Sequence, residues 1–223
     1  MTLKSYRRCF PVLTIAIAVS LFSNSLVSAA PISFVATGII DDLSTEAMTG
    51  AGLSLNDAFT LEFTYDLSTP DSFPGEVDVA RYDYLGPFVA PVGMEFRAGT
   101  LTVTADNPMF IVVANATDTG ADSFQIIVSS ANTNLSAPYD VLNDFLLVLV
   151  DSTHTALSSD ALPTSFQANE WTTRTVDLSF VDGANQGSFL GGTIDNIVEV
   201  PEPTSSALAL AALCLAVGRR RSY

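Results

Sequence analysis

Cysteine is nearly missing from this 223-residue chain, and the two present, Cys9 and Cys214, stand close to its two ends. The stretch between them holds no thiol, which excludes a disulfide staple, a thiolate zinc site and a cysteine nucleophile there. Histidine occurs once, as His154. A multi-histidine metal site is therefore excluded, and a serine triad would have to use that one residue. Lysine also occurs once, at Lys4, and tryptophan once, at Trp171. Of nine basic residues, Lys4, Arg7 and Arg8 lie near the N-terminus and Arg219, Arg220 and Arg221 near the C-terminus. Residues 30–199 keep only Arg81, Arg97 and Arg174 against 23 of the 24 acids, a net −20. Such a field repels nucleic acid and anionic headgroups, attracts cations and keeps an exported protein soluble.

Both ends carry signals. Lys4, Arg7 and Arg8 precede an apolar run from Phe10 to Phe22, and Val27-Ser28-Ala29 supplies small residues for cleavage. This order is that of a secretory signal peptide over 1–29, to be removed by signal peptidase. Cleavage after Ala29, leaving Ala30 first, is favoured because cleavage after Ala30 would put Pro31 just beyond the scissile bond. Residues 30–199 are then one exported domain, long enough for a core of its own.

At the other end, residues 200–223 read Val200-Pro201-Glu202-Pro203, an uncharged Ala/Leu-rich run to Gly218, and Arg219-Arg220-Arg221. Alanine and leucine favour a helix. The run spans about 20 Å, short of the roughly 30 Å hydrocarbon core, so it predicts a marginal transmembrane helix. The arginines orient it with its C-terminal end in the cytoplasm. Pro201 and Pro203 keep the preceding chain extended. In this tripartite order the tail resembles the PEP-CTERM sorting signal of Gram-negative bacteria. The resemblance implies recognition by exosortase, a membrane transpeptidase of cysteine-protease type, with cleavage near Val200–Pro203. It also implies transient insertion in the inner membrane, delivery to the cell surface or medium, and association with exopolysaccharide.

Between the two signals the pattern is strand after strand. Phe59, Leu61, Phe63 and Tyr65 alternate with polar residues, as do Leu101 and Val103, and Val176, Leu178 and Phe180. Period two of this kind predicts strands with one buried face. Ser33–Ile40, Met109–Ala114, Phe124–Val128, Phe145–Val150 and Ile194–Val198 are further apolar runs, the middle three continuous enough to suggest burial on both faces. Turn signals stand between them at Asp66–Asp71, Asp106–Pro108, Asp118–Gly120, Asp182-Gly183 and Gly191-Gly192. No segment holds a helical period over three turns. The expected fold is all-β: an antiparallel β-sandwich of jelly-roll type. Phe63–Asp66 with Ser68–Ser72, Leu157–Pro163 and Gly192–Asp195 resemble segments common in β-rich PEP-CTERM proteins, and no activity transfers with them.

Candidate chemistry is sparse. Asp118-Thr119-Gly120-Ala121-Asp122 resembles the active-site turn of retropepsin-like proteases, where two aspartates share a proton. One copy is present, so a homodimer would be needed, and a hairpin turn explains the same residues. Asp118 and Asp122 are the named candidates for a Ca²⁺ ion, with Asp140/Asn143/Asp144 and Asp182/Asn185 as alternatives, and none has the EF-hand spacing. The polar stretch between Val150 and Arg174, with His154 and Trp171, is long enough to be a functional loop or a crossing connection. Trp171, Tyr82 and Tyr84 are candidates for sugar stacking or for packing. The expectation is a non-enzymatic surface or matrix component with no cofactor, the alternatives being a Ca²⁺-assisted lectin-like module and, behind it, a secreted hydrolase.

Overall fold

A computed structural model describes residues 31–44, 52–85, 92–105, 108–116, 120–135, 141–181 and 187–201. The expected signal peptide with Ala29 and Ala30, and the tail from Glu202 through Pro203 to Arg219, Arg220 and Arg221, lie outside them. The strands are β1 (Pro31–Leu43), β2 (Ala58–Asp66), β3 (Val79–Tyr84), β4 (Gly93–Ala98), β5 (Leu101–Ala105), β6 (Met109–Ala114), β7 (Asp122–Val128), β8 (Ala131–Thr133), β9 (Val141–Asp151), β10 (Thr173–Val181) and β11 (Gly187–Val200). Helical backbone among the described residues is the single 3₁₀ turn Ala168–Glu170. No helix there is long and apolar enough to cross a membrane.

All pairings are antiparallel, and they join the eleven strands in one sheet of order β10-β11-β1-β2-β4-β5-β8-β9-β7-β6-β3. β9 is its branch point. One edge of β9 pairs with β10 along nearly its whole length. The other edge is shared by β7, opposite Phe145–Asp151, and by the three-residue β8, opposite Val141 and Leu142. The sheet thus curls round its core into a half-barrel, closed only through short β8, with β7, β6 and β3 continuing as a wing. The expected all-β antiparallel class is what the structure has, although its strands share a single sheet.

Inward positions follow period two. Phe59, Leu61, Phe63 and Tyr65 of β2 are buried, facing Phe34, Phe96, Phe124 and Phe145 from other strands. Rings stack or meet edge-on, as in Phe34–Phe63 at 5.3 Å and Phe96–Phe145 at 6.4 Å between centroids. Each such ring contributes roughly 2–3 kcal/mol by burial, and each pair about another 1 kcal/mol. The apolar runs of β6, β7 and β9 were expected to be buried on both faces. In the structure Met109, Ile111 and Val113 are buried while Phe110 and Val112 are only half-buried. Branched and aromatic residues on the second face therefore reflect strand propensity more than burial.

One sequence signal reads differently once folded. Gly191-Gly192, expected as a turn, lies inside β11, opposite Ile40 and Asp42 of β1 and Val176 and Asp177 of β10. A Cβ on Gly192 would stand 2.7 Å from Phe59 Cε1 and 2.9 Å from the Ile39 carbonyl oxygen. The glycine makes room for the Phe59 ring rather than for a turn. The free edge of the wing is also managed. Asp71 bridges to Tyr82, the Ser72 N–H donates to the Arg81 carbonyl, and the Arg81 guanidinium lies 4.3 Å over the Phe110 ring. That segment blunts an edge that would otherwise template another strand.

Candidate functional site

The candidate site is built at the end of the core where β7 begins and β9 ends. Both strands run inward–outward by period two, so the inward series Val128, Ile126, Phe124 finishes at Asp122. Phe145, Leu147 and Leu149 likewise finish at Asp151. The register sets Asp122 directly opposite Asp151. Both carboxylates are 0% exposed.

The two are served unequally. Asp151 is wrapped by the chain that follows it. Its carboxylate accepts the backbone N–H groups of Thr153 (2.8 Å), Thr155 (2.8 Å) and Ala156 (3.1 Å), and the Thr153 hydroxyl at 2.7 Å. Burial alone would raise its pKa. The donors from Thr155, Thr153 and Ala156 outweigh that, and they hold the acid well below the usual carboxylate range. Asp122 accepts one N–H, from Leu157, at 3.1 Å on Oδ2. Its Oδ1 has no hydrogen-bond partner among the described residues. Of the Asp118/Asp122 pair proposed for Ca²⁺, Asp118 lies outside the described residues. Asp122 is sealed in the core beside Asp151, a neighbour that sequence spacing did not suggest. Its signal was present, since Asp151 closes the inward alternation of an otherwise apolar strand. Among the described residues no group of three or more His, Cys, Asp or Glu side chains is arranged to hold a metal ion.

The long connection after β9 is a strap across this end of the core. Leu162, Phe166 and Trp171 are buried. Phe166 meets Phe34 and Phe124 edge-on at 4.8 Å each and lies 6.2 Å from Trp171. The strap is pinned by two tyrosines: Tyr65 O–H donates to the Pro163 carbonyl at 2.5 Å, and Tyr82 O–H to the Asp160 carbonyl at 3.0 Å. Burial, with nearby Tyr84 and Glu199, pushes the Tyr65 phenol far up. Burial, then Asp71 and Asp160, raises that of Tyr82. Tyr84 is half-buried, donates to the Asp66 carbonyl, and is likewise raised by burial. Trp171 and Tyr82 are thus buried packing residues, and Tyr84, half-buried, packs against the same core. The strap also contains the 3₁₀ turn Ala168–Glu170. His154 is exposed in a left-handed backbone (φ 60°), its Nδ1 3.0 Å from the Ala116 carbonyl oxygen.

A second gathering of carboxylates lies on the outer face of β1, β11 and β10. Asp42 and Asp177 stand opposite Gly191 from its two sides. A Cβ on Gly191 would be 3.2 Å from Asp177 Oδ1 and 4.0 Å from Asp41 Oδ1, so the three acids share the notch over that glycine. Burial, then the charges of Asp41 and Asp42, raises the pKa of Asp177 against the Thr175 hydrogen bond. Asp41 also accepts the Thr193 hydroxyl. Asp140, Asp182 and Asn185 lie outside the described residues, and Asn143 and Asp144 are in β9. Of the expected sorting motif the first two residues are described: Val200 ends β11 opposite Ser33, and Pro201 follows it, exposed.

No protein-family model, no curated protein and no solved structure matches this chain.

Proposed function

We propose that the chain is an exported cell-envelope or extracellular-matrix protein, sorted through its PEP-CTERM-like tail, whose domain acts without catalysis as a surface component associated with exopolysaccharide. The observation that carries the reading is where the sheet stops. β11 ends at Val200, one residue before the exposed Pro201 with which the expected sorting motif continues. β11 and β1 are neighbours, with Ser33 opposite Val200. The first and the last of the described residues therefore lie at one end of the sheet. We further read the curled sheet as a flattened, jelly-roll-like sandwich, with the tail as a short transmembrane helix.

The test is fractionation of cells making the full chain, beside a chain with Pro201→Ala and Pro203→Ala. The parent is expected at the cell surface or in the medium and the variant in the inner membrane. Identical distributions would remove the tail from any sorting role. The second reading is a Ca²⁺-assisted glycan-binding module. Asp41, Asp42 and Asp177 gather near Gly191 on an outer face that solvent reaches, and although they are not arranged as a ready metal site, an ion could draw them together.

A further inference from the structure

We propose that the outer face of β9, β7, β6 and β3 is an interface on which a second copy of this chain docks, sheet against sheet, as a two-fold symmetric dimer. The register lays this face out as a grid. Leu146, Ile127 and Phe110 form one row across β9, β7 and β6, and Val148, Gln125 and Val112 form the next. A third row runs through Val150, Ser123, Ala114 and, on β3, Val79. Phe110, Val112, Ile127, Leu146, Val148 and Val150 are half-buried, each in the outward series of its strand.

Strand propensity explains branched side chains here, but threonine would satisfy it equally well. The outward positions of β1, β2 and β5 do use polar residues: Thr37, Thr60, Glu62, Thr102 and Thr104. The face of the wing is thus more apolar than a strand facing water requires. A contiguous apolar surface rimmed by polar residues marks a docking site.

Charge and area point to a second copy as the occupant. The formal charges of this face stand at its two margins, Asp144 and Asp177 toward β10, and Arg81 with Asp83 on β3. β7 is the middle of the five strands β10, β9, β7, β6 and β3. A two-fold axis along β7 lays the Arg81 margin of each copy over the Asp177 margin of the other, and sets Gln125 over its own equivalent. That is the self-complementary match of an isologous interface. An anionic membrane surface is a poor occupant, because residues 30–199 hold 23 acids against three arginines. Two copies also repel one another, but the centre of each contact face is uncharged and salt screens the rest. Five strands about 4.8 Å apart, read over about six residues of roughly 3.3 Å each, give about 500 Å² per copy. A pair would remove roughly 1,000 Å² from water, which is the lower end of a specific interface.

The test uses the full chain carrying Cys9→Ser and Cys214→Ser, so that an introduced cysteine is its only thiol. Gln125→Cys at the proposed axis, Ile127→Cys on the same strand, and Thr37→Cys on the outer face of β1 are each treated with a bismaleimide. Its reach is about 10 Å, the spacing of packed sheets. Gln125→Cys and Ile127→Cys are expected to double in mass on a denaturing gel, and Thr37→Cys to stay single. Equal cross-linking at Thr37→Cys, or none at Gln125→Cys and Ile127→Cys, overturns the proposal. So does an uncross-linked Gln125→Cys thiol that phosphatidylcholine vesicles shield from a water-soluble maleimide, which would assign the face to a membrane.

Discussion

Asp151 is a single acid that organises a loop. Three backbone N–H groups and the Thr153 hydroxyl converge on a carboxylate with no exposure. Hydrogen bonds to a charged group contribute about 1.5–3 kcal/mol each, and buried donors left unmet cost as much again in desolvation. Asp151→Asn keeps the size but turns an amide NH₂ toward donors. Urea unfolding at pH 7 is expected to show a loss of about 2–4 kcal/mol. The pH dependence has a definite sign. The folded-state pKa lies below the unfolded one, so the contribution of Asp151 is complete above the ordinary carboxylate pKa of about 4 and is withdrawn as pH falls through the folded value. The gap between parent and variant should therefore be widest near neutral pH and shrink in strong acid. A gap that grew with acid would show that the carboxylate is not what those donors need.

The strap from Ser152 to Thr172 supplies to the core what no strand does. Phe166 fills the space among Phe34, Phe63, Phe124 and Trp171. Phe166→Ala is expected to cost about 3–5 kcal/mol, as a large-to-small change in a packed site. It should also shift the emission of Trp171, the only tryptophan, to longer wavelength as water reaches it. Unchanged stability and emission would mean that the strap is an independent loop. How far these elements were legible depends on what marked them. Phe59, Leu61, Phe63 and Tyr65 announced β2 because one face needed four apolar residues in alternation. β3 (Val79–Tyr84) and β4 (Gly93–Ala98) alternate too, Ala80, Tyr82 and Tyr84 with Arg81 and Asp83, and Met94, Phe96 and Ala98 with Glu95 and Arg97, but over six residues each, too short a run to stand out. β8 has three residues. Gly191-Gly192 looked like a turn because a sequence shows a missing side chain without showing the ring that needs the room. The Asp122–Asp151 pair was half-legible: Asp122 was named for its neighbour Asp118 in the chain, whereas its nearest acid across the sheet is Asp151, set by register.

The whole domain carries its charge almost unopposed. Residues 30–199 hold three arginines against 23 acids, and each arginine is already engaged. Arg81 is paired with Asp83 at 2.5 Å, Arg97 is paired with Glu95, and Arg174 donates to the Ala168 carbonyl at 2.6 Å. Acids left facing one another repel across the surface, and that repulsion opposes the compact state. Salt shortens its reach, from a Debye length of about 30 Å at 0.01 M to about 10 Å at 0.1 M. Melting temperature should accordingly rise across that interval of NaCl, each 1 kcal/mol appearing as about 2–4 °C for a domain of this size. Screening depends on ionic strength alone, so MgCl₂ and CaCl₂ matched to the same ionic strength should reproduce the rise. Binding behaves otherwise, because it adds stability with the logarithm of free ion over its dissociation constant. If millimolar Ca²⁺ raised the melting temperature beyond matched Mg²⁺, and Asp177→Asn removed the excess, the notch over Gly191 would be holding the ion. The domain would then be better read as a Ca²⁺-assisted binding module than as an inert matrix component. Equal curves for the two ions would leave the acidity serving solubility and charge alone.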